Sequence, residues 1–144
     1  MRLLLDTRPC IVVVDDDSHS RSALARLLAR SGYHVESAES VSQALEVVEL
    51  RGCDLLISDL GLPDGSGLDL MRQLRHMYGL NNGIALTGYT SAEDKKDCAD
   101  AGFTKFLPKP VVFTVLLSEV QTLLEGRRGD ETPQIAPSPV AEEN

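Results

Sequence analysis

The stretch IVVVDDD, residues 11–17, joins four apolar residues directly to three carboxylates. An apolar run this short and continuous predicts a β-strand buried on both faces, as in a parallel sheet covered by helices. Two like charges about 4 Å apart repel by roughly 4 kcal/mol near a protein surface, so the acidic cluster calls for a helix N-terminus or a cation beside it. The sequence therefore predicts a buried strand that ends at an acidic site.

The chain repeats this alternation of strand and helix. Amphipathic stretches with apolar residues three or four positions apart separate the apolar runs, and glycines follow four of them, where helices commonly end. Five consecutive strand–helix units imply one parallel sheet with right-handed crossovers. We therefore expect an α/β, flavodoxin-like (βα)5 fold, doubly wound, with five parallel strands in the order 2-1-3-4-5. The predicted strands are residues 10–15, 33–37, 54–59, 83–87 and 104–107, and the last two helices are residues 91–101 and 111–125.

The length and composition indicate one folded domain. A chain of 144 residues is long enough to bury a single core. The segment after residue 125 holds three of the seven prolines and no aromatic residue, which is typical of a disordered tail. We therefore expect an N-terminal extension at 1–9, a folded domain at 10–125, and a disordered tail or linker at 126–144.

The charge and the cysteines exclude several classes of protein. A net charge of −8 argues against general binding to nucleic acids or membrane surfaces, because both are polyanions. No apolar run approaches the roughly 18 residues of a membrane helix, and we expect a cytoplasmic location. The three cysteines, Cys10, Cys53 and Cys98, are widely spaced, which argues against disulfides and thiolate–zinc sites.

Residues whose side chains can bind a metal or react lie at the ends of successive predicted strands. Asp15 and Asp16 end the first strand, Asp59 ends the third, Thr87 ends the fourth, and Lys109 lies just after the fifth. Ligands of open α/β sheets bind beyond the carboxyl ends of the strands, so these side chains should share one cleft. Carboxylates without nearby His or Cys suit Mg²⁺ rather than zinc. One carboxylate could then attack a phosphoryl group whose oxygens contact the lysine and the threonine.

Each residue taken alone has an ordinary structural explanation. Asp17 or Ser18 can cap the first helix, and for Asp17 this is the better interpretation. Asp59 and Thr87 can lie in turns, and Lys109 can be a solvated surface residue. Only the combination at successive strand ends is specific.

Four motifs resemble the receiver domain of bacterial two-component response regulators. They are VVVDDD, ISDLGLPDGSGLDLMRQLR, ALTGYT and AGFTKFLPKP, and the resemblance covers about residues 10–125. The third and fourth motifs are similar to those of receivers attached to hybrid histidine kinases. The resemblance implies a phosphoprotein in a two-component phosphorelay.

The resemblance also implies roles for the acidic residues. Asp59 matches the phosphoacceptor, and Asp16 and Asp59 match the direct ligands of Mg²⁺, for which Mn²⁺ can substitute. Asp15 is expected to act through metal-bound water, and Gly61 to offer its backbone carbonyl. Because position 61 has no side chain, nothing there can orient or block a hydrolytic water.

Three further residues match the switch of the family. Thr87 resembles the switch hydroxyl and Lys109 the lysine that contacts the phosphoryl group. Phe106 stands at the switch aromatic position, where tyrosine is frequent; its ordinary alternative is a core phenylalanine. Pro63 and Gly67 match the turn that shapes the loop after the phosphoacceptor.

The implied function is transfer of a phosphoryl group from a kinase phosphohistidine to Asp59, followed by a change in the face formed by the fourth helix, fifth strand and fifth helix. The implied partner is a sensor histidine kinase or a histidine phosphotransfer protein, with phosphorylation-dependent dimerisation allowed. Direct nucleic-acid and membrane binding are not expected. The domain would be no enzyme beyond assisting its own Mg²⁺-dependent phosphorylation and dephosphorylation.

Three alternatives remain on sequence grounds. The three aspartates imitate the D-x-D start of a haloacid-dehalogenase-like phosphatase, but no later strand carries the acidic pair of that class. A receiver-shaped docking module that is never phosphorylated is the second alternative. A dinucleotide-binding module is the third, although the acidic turn after the first strand would repel pyrophosphate.

Overall fold

The computed structural model describes residues 8–88 and 92–129 of the chain. Most of the expected N-terminal extension and most of the expected tail therefore lie outside the described residues. The elements are β1 (Cys10–Val14), α1 (Ser18–Arg30), β2 (His34–Ala38), α2 (Val41–Arg51), β3 (Leu55–Asp59), β4 (Gly61–Leu62), β5 (Gly65–Ser66), α3 (Gly67–Tyr78), β6 (Gly83–Thr87), α4 (Ala92–Ala101), β7 (Lys105–Pro108) and α5 (Phe113–Gly129).

Five parallel strands form the central sheet in the order β2-β1-β3-β6-β7. This confirms the predicted fold and strand order, since β4 and β5 pair only with each other as a short antiparallel hairpin. The sequence did not predict the hairpin, because strands of two residues are too short to show any periodicity. The three inner strands are buried throughout, as their apolar runs predicted.

The two faces of the sheet carry separate apolar clusters. Val12 and Val14 of β1 face one cluster, which includes buried residues of α2, α3 and α4. Ile11 and Val13 face the other, which includes buried residues of α1 and α5. Because side chains alternate along a strand, one strand of five apolar residues supplies both layers. The sheet is thus held between two helical layers, and its carboxyl edge is left for a site.

The C-terminal helix differs slightly from the prediction. Helix α5 begins at Phe113, two residues later than expected, and runs to Gly129, so residues 126–129 of the expected tail are helical. The predicted end rested on the proline-rich composition without aromatic residues after residue 125, but the first proline comes only at position 133, and the glycine at 126 costs a helix only about 1 kcal/mol relative to alanine. Among the described residues, no helix combines the length and the apolar character needed to cross a bilayer.

Candidate functional site

The carboxyl edge of the sheet brings the predicted acidic residues together. Carboxylate oxygens of Asp15, Asp16 and Asp59 all lie within 4.8 Å of one another. A cleft of about 290 Å³ opens beside them, and Asp16, Asp59, Gly61, Thr87 and Lys109 contribute to its walls. Residues at the carboxyl ends of β1, β3, β6 and β7 therefore meet in one place, as the parallel topology requires.

Asp15 is fixed by the backbone around the end of β1. Its Oδ1 accepts a hydrogen bond from the Asp17 N–H at 2.9 Å, and its carbonyl accepts one from Arg21 Nη1 at 2.8 Å. Its own N–H donates to the Ala38 carbonyl at 3.1 Å. The side chain is buried, yet Oδ2 accepts no hydrogen bond from any of the described residues. A buried carboxylate oxygen left in this state is an acceptor suited to a cation or a bound water.

The third aspartate of the triplet has a different role. Asp17 is the N-cap of α1 and accepts hydrogen bonds from Ser20, from its N–H at 3.1 Å and its hydroxyl at 2.7 Å. These hydrogen bonds lower the pKa of the Asp17 carboxyl. The helix-cap interpretation is therefore confirmed for Asp17, which does not belong to the cluster of close carboxylates.

Asp59 and Lys109 form an ion pair at the centre of the site. The Lys109 Nζ lies 2.6 Å from Asp59 Oδ1, and only 5% of Asp59 is exposed. Burial, reinforced by the neighbouring Asp15, raises the pKa of Asp59 to about 6, although Lys109 opposes the shift. Partial burial alone would lower the pKa of Lys109, but Asp59, with Asp15 and Asp16, raises it on balance. At neutral pH the pair is therefore charged, with Asp59 mostly ionised.

The raised pKa of Asp59 predicts how the stability of the metal-free protein depends on pH. The folded protein keeps a proton on Asp59 up to about pH 6, whereas the unfolded chain loses it near the ordinary pKa of 3.8. The free energy of unfolding should therefore fall as the pH rises from about 4 to 6, by up to about 3 kcal/mol from this group. Urea denaturation in EDTA at several pH values measures the free energy of unfolding, and Asp59→Asn should lack the decrease between pH 4 and 6. Equal pH profiles for the two proteins would contradict the shift.

The loop after Asp59 is shaped by one closely packed glycine. The Gly67 N–H donates to the Leu60 carbonyl at 2.8 Å, and a Cβ at position 67 would collide with the Asp59 carbonyl. Ser66 caps α3 by accepting the Leu68 N–H at 3.0 Å. Gly61 is different, because a Cβ there would meet no atom within 4 Å. Gly67 is thus required by space beside the site, whereas Gly61 leaves its backbone open to the cleft.

The predicted switch residues lie on neighbouring strands. Thr87 is buried at the end of β6, and its carbonyl accepts the Lys109 N–H at 2.9 Å. Phe106 of β7 is half-buried against the core on the α4 side, with Lys95 Nζ 5.9 Å from the centre of its ring. Phe106 does not line the cleft. Its role as a switch therefore stays a prediction.

Sequence reasoning missed two residues that support the site. The buried Ser58 donates its hydroxyl to the Asp59 carbonyl at 2.7 Å. Asp64, in the hairpin turn, accepts hydrogen bonds from the first two N–H groups of α2. A serine inside a buried strand and an aspartate beside a proline each look ordinary in sequence. Their partners become visible only once the strand ends and the helix starts are placed in space.

The donor set fits a hard divalent cation. Three carboxylates and one ammonium leave two negative charges uncompensated at the site. Oδ2 of Asp15 and Oδ1 of Asp59 are buried and make no hydrogen bond of regular geometry with the described residues, although the latter has its ion pair with Lys109. Oxygen ligands of this kind suit Mg²⁺ or Mn²⁺. The residues present therefore fit the metal that the sequence predicted.

Comparison with known proteins assigns the chain to a family. The family model of the response regulator receiver domain matches residues 11–121. "Response regulator MprA" from Mycobacterium sp. (strain KMS) is 35% identical over 123 residues, which are 85% of this chain and 54% of that protein. The chain thus spans about half the length of the curated relatives that it matches.

Solved structures agree with the sequence match. A response regulator receiver domain protein (CheY-like) from Methanospirillum hungatei JF-1 has a TM-score of 0.80 and 28% identity, covering 86% of this chain and 99% of that one. A response regulator receiver protein from Pseudomonas putida has a TM-score of 0.74 and 32% identity, covering 82% and 99%. Together with the strand order and the clustered carboxylates, these matches show that the chain belongs to the response regulator receiver domain family.

Proposed function

We propose that this domain is the phosphoacceptor of a two-component phosphorelay and takes a phosphoryl group from a partner's phosphohistidine onto Asp59. The observation that carries the proposal is the setting of Asp59, a buried carboxylate paired with Lys109 beside two further aspartates. The partner would be a sensor histidine kinase or a histidine phosphotransfer protein. A cytoplasmic location and phosphorylation-dependent dimerisation belong to the same proposal.

The residues of the site can divide the work of the transfer. A carboxylate oxygen of Asp59 attacks phosphorus, the P–O bond forms as the P–N bond breaks, and the imidazole nitrogen leaves with the electron pair. The Lys109 ammonium, now 2.6 Å from Asp59, is close enough to neutralise the phosphoryl oxygens that arrive there. The Thr87 hydroxyl can donate to another of those oxygens. Positioning and charge neutralisation supply most of the rate in reactions of this kind.

The metal would be held by oxygens of the acidic residues and of the loop after Asp59. Asp16, Asp59 and the Gly61 carbonyl are the proposed direct ligands, and Asp15 would bind through water. When bound, Mg²⁺ neutralises charge on the transferred group. The domain would assist only its own phosphorylation and dephosphorylation.

The proposed output is a shift between two conformations. Phosphorylation adds negative charge and strong acceptor oxygens, which draw Thr87 and Lys109 toward position 59. Movement of Thr87 would leave space for Phe106 to turn inward and so change the face formed by α4, β7 and α5. Phe106 is only half-buried and packs beside Lys95 of α4, so its displacement would also be felt by that helix. Phosphorylation acts here as the bias between two states.

Acetyl phosphate with Mg²⁺ tests the proposal directly. The intact mass of the protein should increase by one phosphoryl group, and the increase should disappear in EDTA. A receiver of known behaviour, treated in parallel, shows that the reagent is active. An unchanged mass beside a labelled control would contradict phosphorylation and favour a docking module.

The structure gives no support to the phosphatase alternative. That class needs an acidic pair on a strand after the lysine, but in the described part of the chain β7 is followed only by helix α5. Sustained hydrolysis of a phosphate ester, lost on Asp15→Asn, would be needed to restore it.

A further inference from the structure

A single carboxylate joins the β4–β5 hairpin to the first turn of α2. Asp64 accepts hydrogen bonds from the Val41 N–H at 2.8 Å and from the Ser42 N–H at 3.0 Å, across 23 and 22 positions of the chain. The hydrogen bonds from Ser42 and Val41 lower the pKa of the Asp64 carboxyl. The residue is therefore charged at neutral pH, where an anion at a helix N-terminus is favoured.

Helix α2 also has a cap of its own. The first four N–H groups of any helix need partners from outside its hydrogen-bond ladder. Asp64 takes two of them, those of Val41 and Ser42, and the Ser40 hydroxyl takes a third, the Gln43 N–H at 3.1 Å. The local cap and the distant carboxylate can therefore be removed separately by mutation.

The backbone ladder of the hairpin is short. Its strands are two residues long, and a two-stranded hairpin alone is marginal in water. Gly61 has no side chain to anchor it, so its position depends on the rest of the hairpin. The turn lies directly on α2, since a Cβ at Gly65 would be 3.3 Å from Val41 Cγ2. The bonds from Asp64 thus act at the end of the hairpin where the ladder gives no support.

We propose that Asp64 is a positioning residue of the phosphorylation site. By fixing the hairpin turn on α2, it sets the place of the Gly61 carbonyl at the cleft and thereby the affinity for the metal. The second part of this inference rests on the proposed function, in which that carbonyl is a metal ligand. The first part, the fixing of the hairpin, does not.

Hydrogen exchange of the metal-free protein tests the fixing of the hairpin. Asp64→Ala should accelerate exchange of the Gly67 N–H, which is bonded to the Leu60 carbonyl, relative to wild type. Ser40→Ala is the matched control, because it removes the local cap of α2 and leaves the hairpin bonds in place. It should accelerate exchange in α2 alone. Equal hairpin exchange in the two variants would overturn the inference.

Calorimetric titration with Mg²⁺ tests the consequence for the site. Residues that orient metal ligands typically contribute 10- to 100-fold to affinity, so Asp64→Ala should raise the Kd about tenfold. The Kd of Asp64→Asn, which keeps one acceptor oxygen, should lie between those of wild type and Asp64→Ala. The Kd of Ser40→Ala should equal that of wild type. An unchanged Kd in Asp64→Ala would overturn the link to the metal. If the wild type bound no Mg²⁺, the proposed function would fail, and the exchange experiment would still decide the role of Asp64.

Discussion

Replacing Asp59 by asparagine should abolish phosphorylation by acetyl phosphate, so that intact-mass measurement finds no phosphoryl adduct in conditions that modify the wild type. The asparagine side chain has nearly the same shape as aspartate, but its amide lacks the charge and the nucleophilicity of the carboxylate. It also binds Mg²⁺ less well. The fold should survive, because the residue lies at the carboxyl end of β3 and its backbone bonds are retained. In EDTA the variant should be more stable than wild type at pH 7, by up to about 3 kcal/mol, since it removes a carboxylate whose burial raises its pKa.

Asp69→Asn is the control for this result. Asp69 is exposed, pairs with Arg72 at 2.9 Å and lies in the first turn of α3, close to the site in sequence but outside the carboxylate cluster. It should be modified as fast as wild type and should gain no stability. A phosphoryl adduct that persisted in Asp59→Asn at the wild-type level would place the modified residue elsewhere and refute the assignment.

Replacing Gly67 by alanine should destabilise the protein by about 3 kcal/mol, at the upper end of the usual cost of overpacking. The added Cβ would meet the Asp59 carbonyl, with Ser58 Oγ 3.0 Å away, and neither neighbour is the free end of a flexible side chain. Either α3 must move away from β3 or the Asp59 peptide must turn. The midpoint of urea denaturation should fall accordingly, and the Mg²⁺ affinity should fall with it.

Gly61→Ala separates this steric effect from the general effect of adding a methyl group to a glycine in the loop. A Cβ at position 61 meets no atom within 4 Å, so the variant should stay within about 0.5 kcal/mol of wild type, as surface substitutions usually do. Equal destabilisation at both positions would show that backbone freedom, and not close packing, explains Gly67.

The position of most site residues could be predicted because the signals are local. Asp59 and Thr87 each end a buried run of apolar residues, and Lys109 follows the next strand, so each could be assigned to a strand end from a few neighbours. The parallel topology then brings these residues together, because pairing such as that of Asp59 with Leu86 places the carboxyl ends of the strands side by side. The order of the five strands was taken instead from the common arrangement of doubly wound five-stranded sheets, and it is confirmed.

What could not be predicted depends on contacts between distant segments. The capping of α1 by Asp17 was predicted, but the hydrogen bond from the buried Ser58 hydroxyl to the Asp59 carbonyl was not. The hydrogen bonds that Asp64 accepts from α2 join residues 22 and 23 positions apart, and Asp64 lies in the turn of a hairpin whose strands are too short to detect in the sequence. The end of α5 was placed too early, because the composition of the tail marked the boundary, whereas the helix continues through residues 126–129, ahead of the first proline at 133.

Lys109 touches two strands with two different groups: its N–H is bonded to the Thr87 carbonyl, and its ammonium is paired with Asp59. One residue therefore links the carboxylate at the end of β3 to the backbone at the end of β6. Any chemical change at Asp59 that draws the ammonium also pulls on the connection leading into α5. In the proposed function, the first step of the conformational change would therefore extend from Asp59 to the backbone of Lys109, the length of a single side chain.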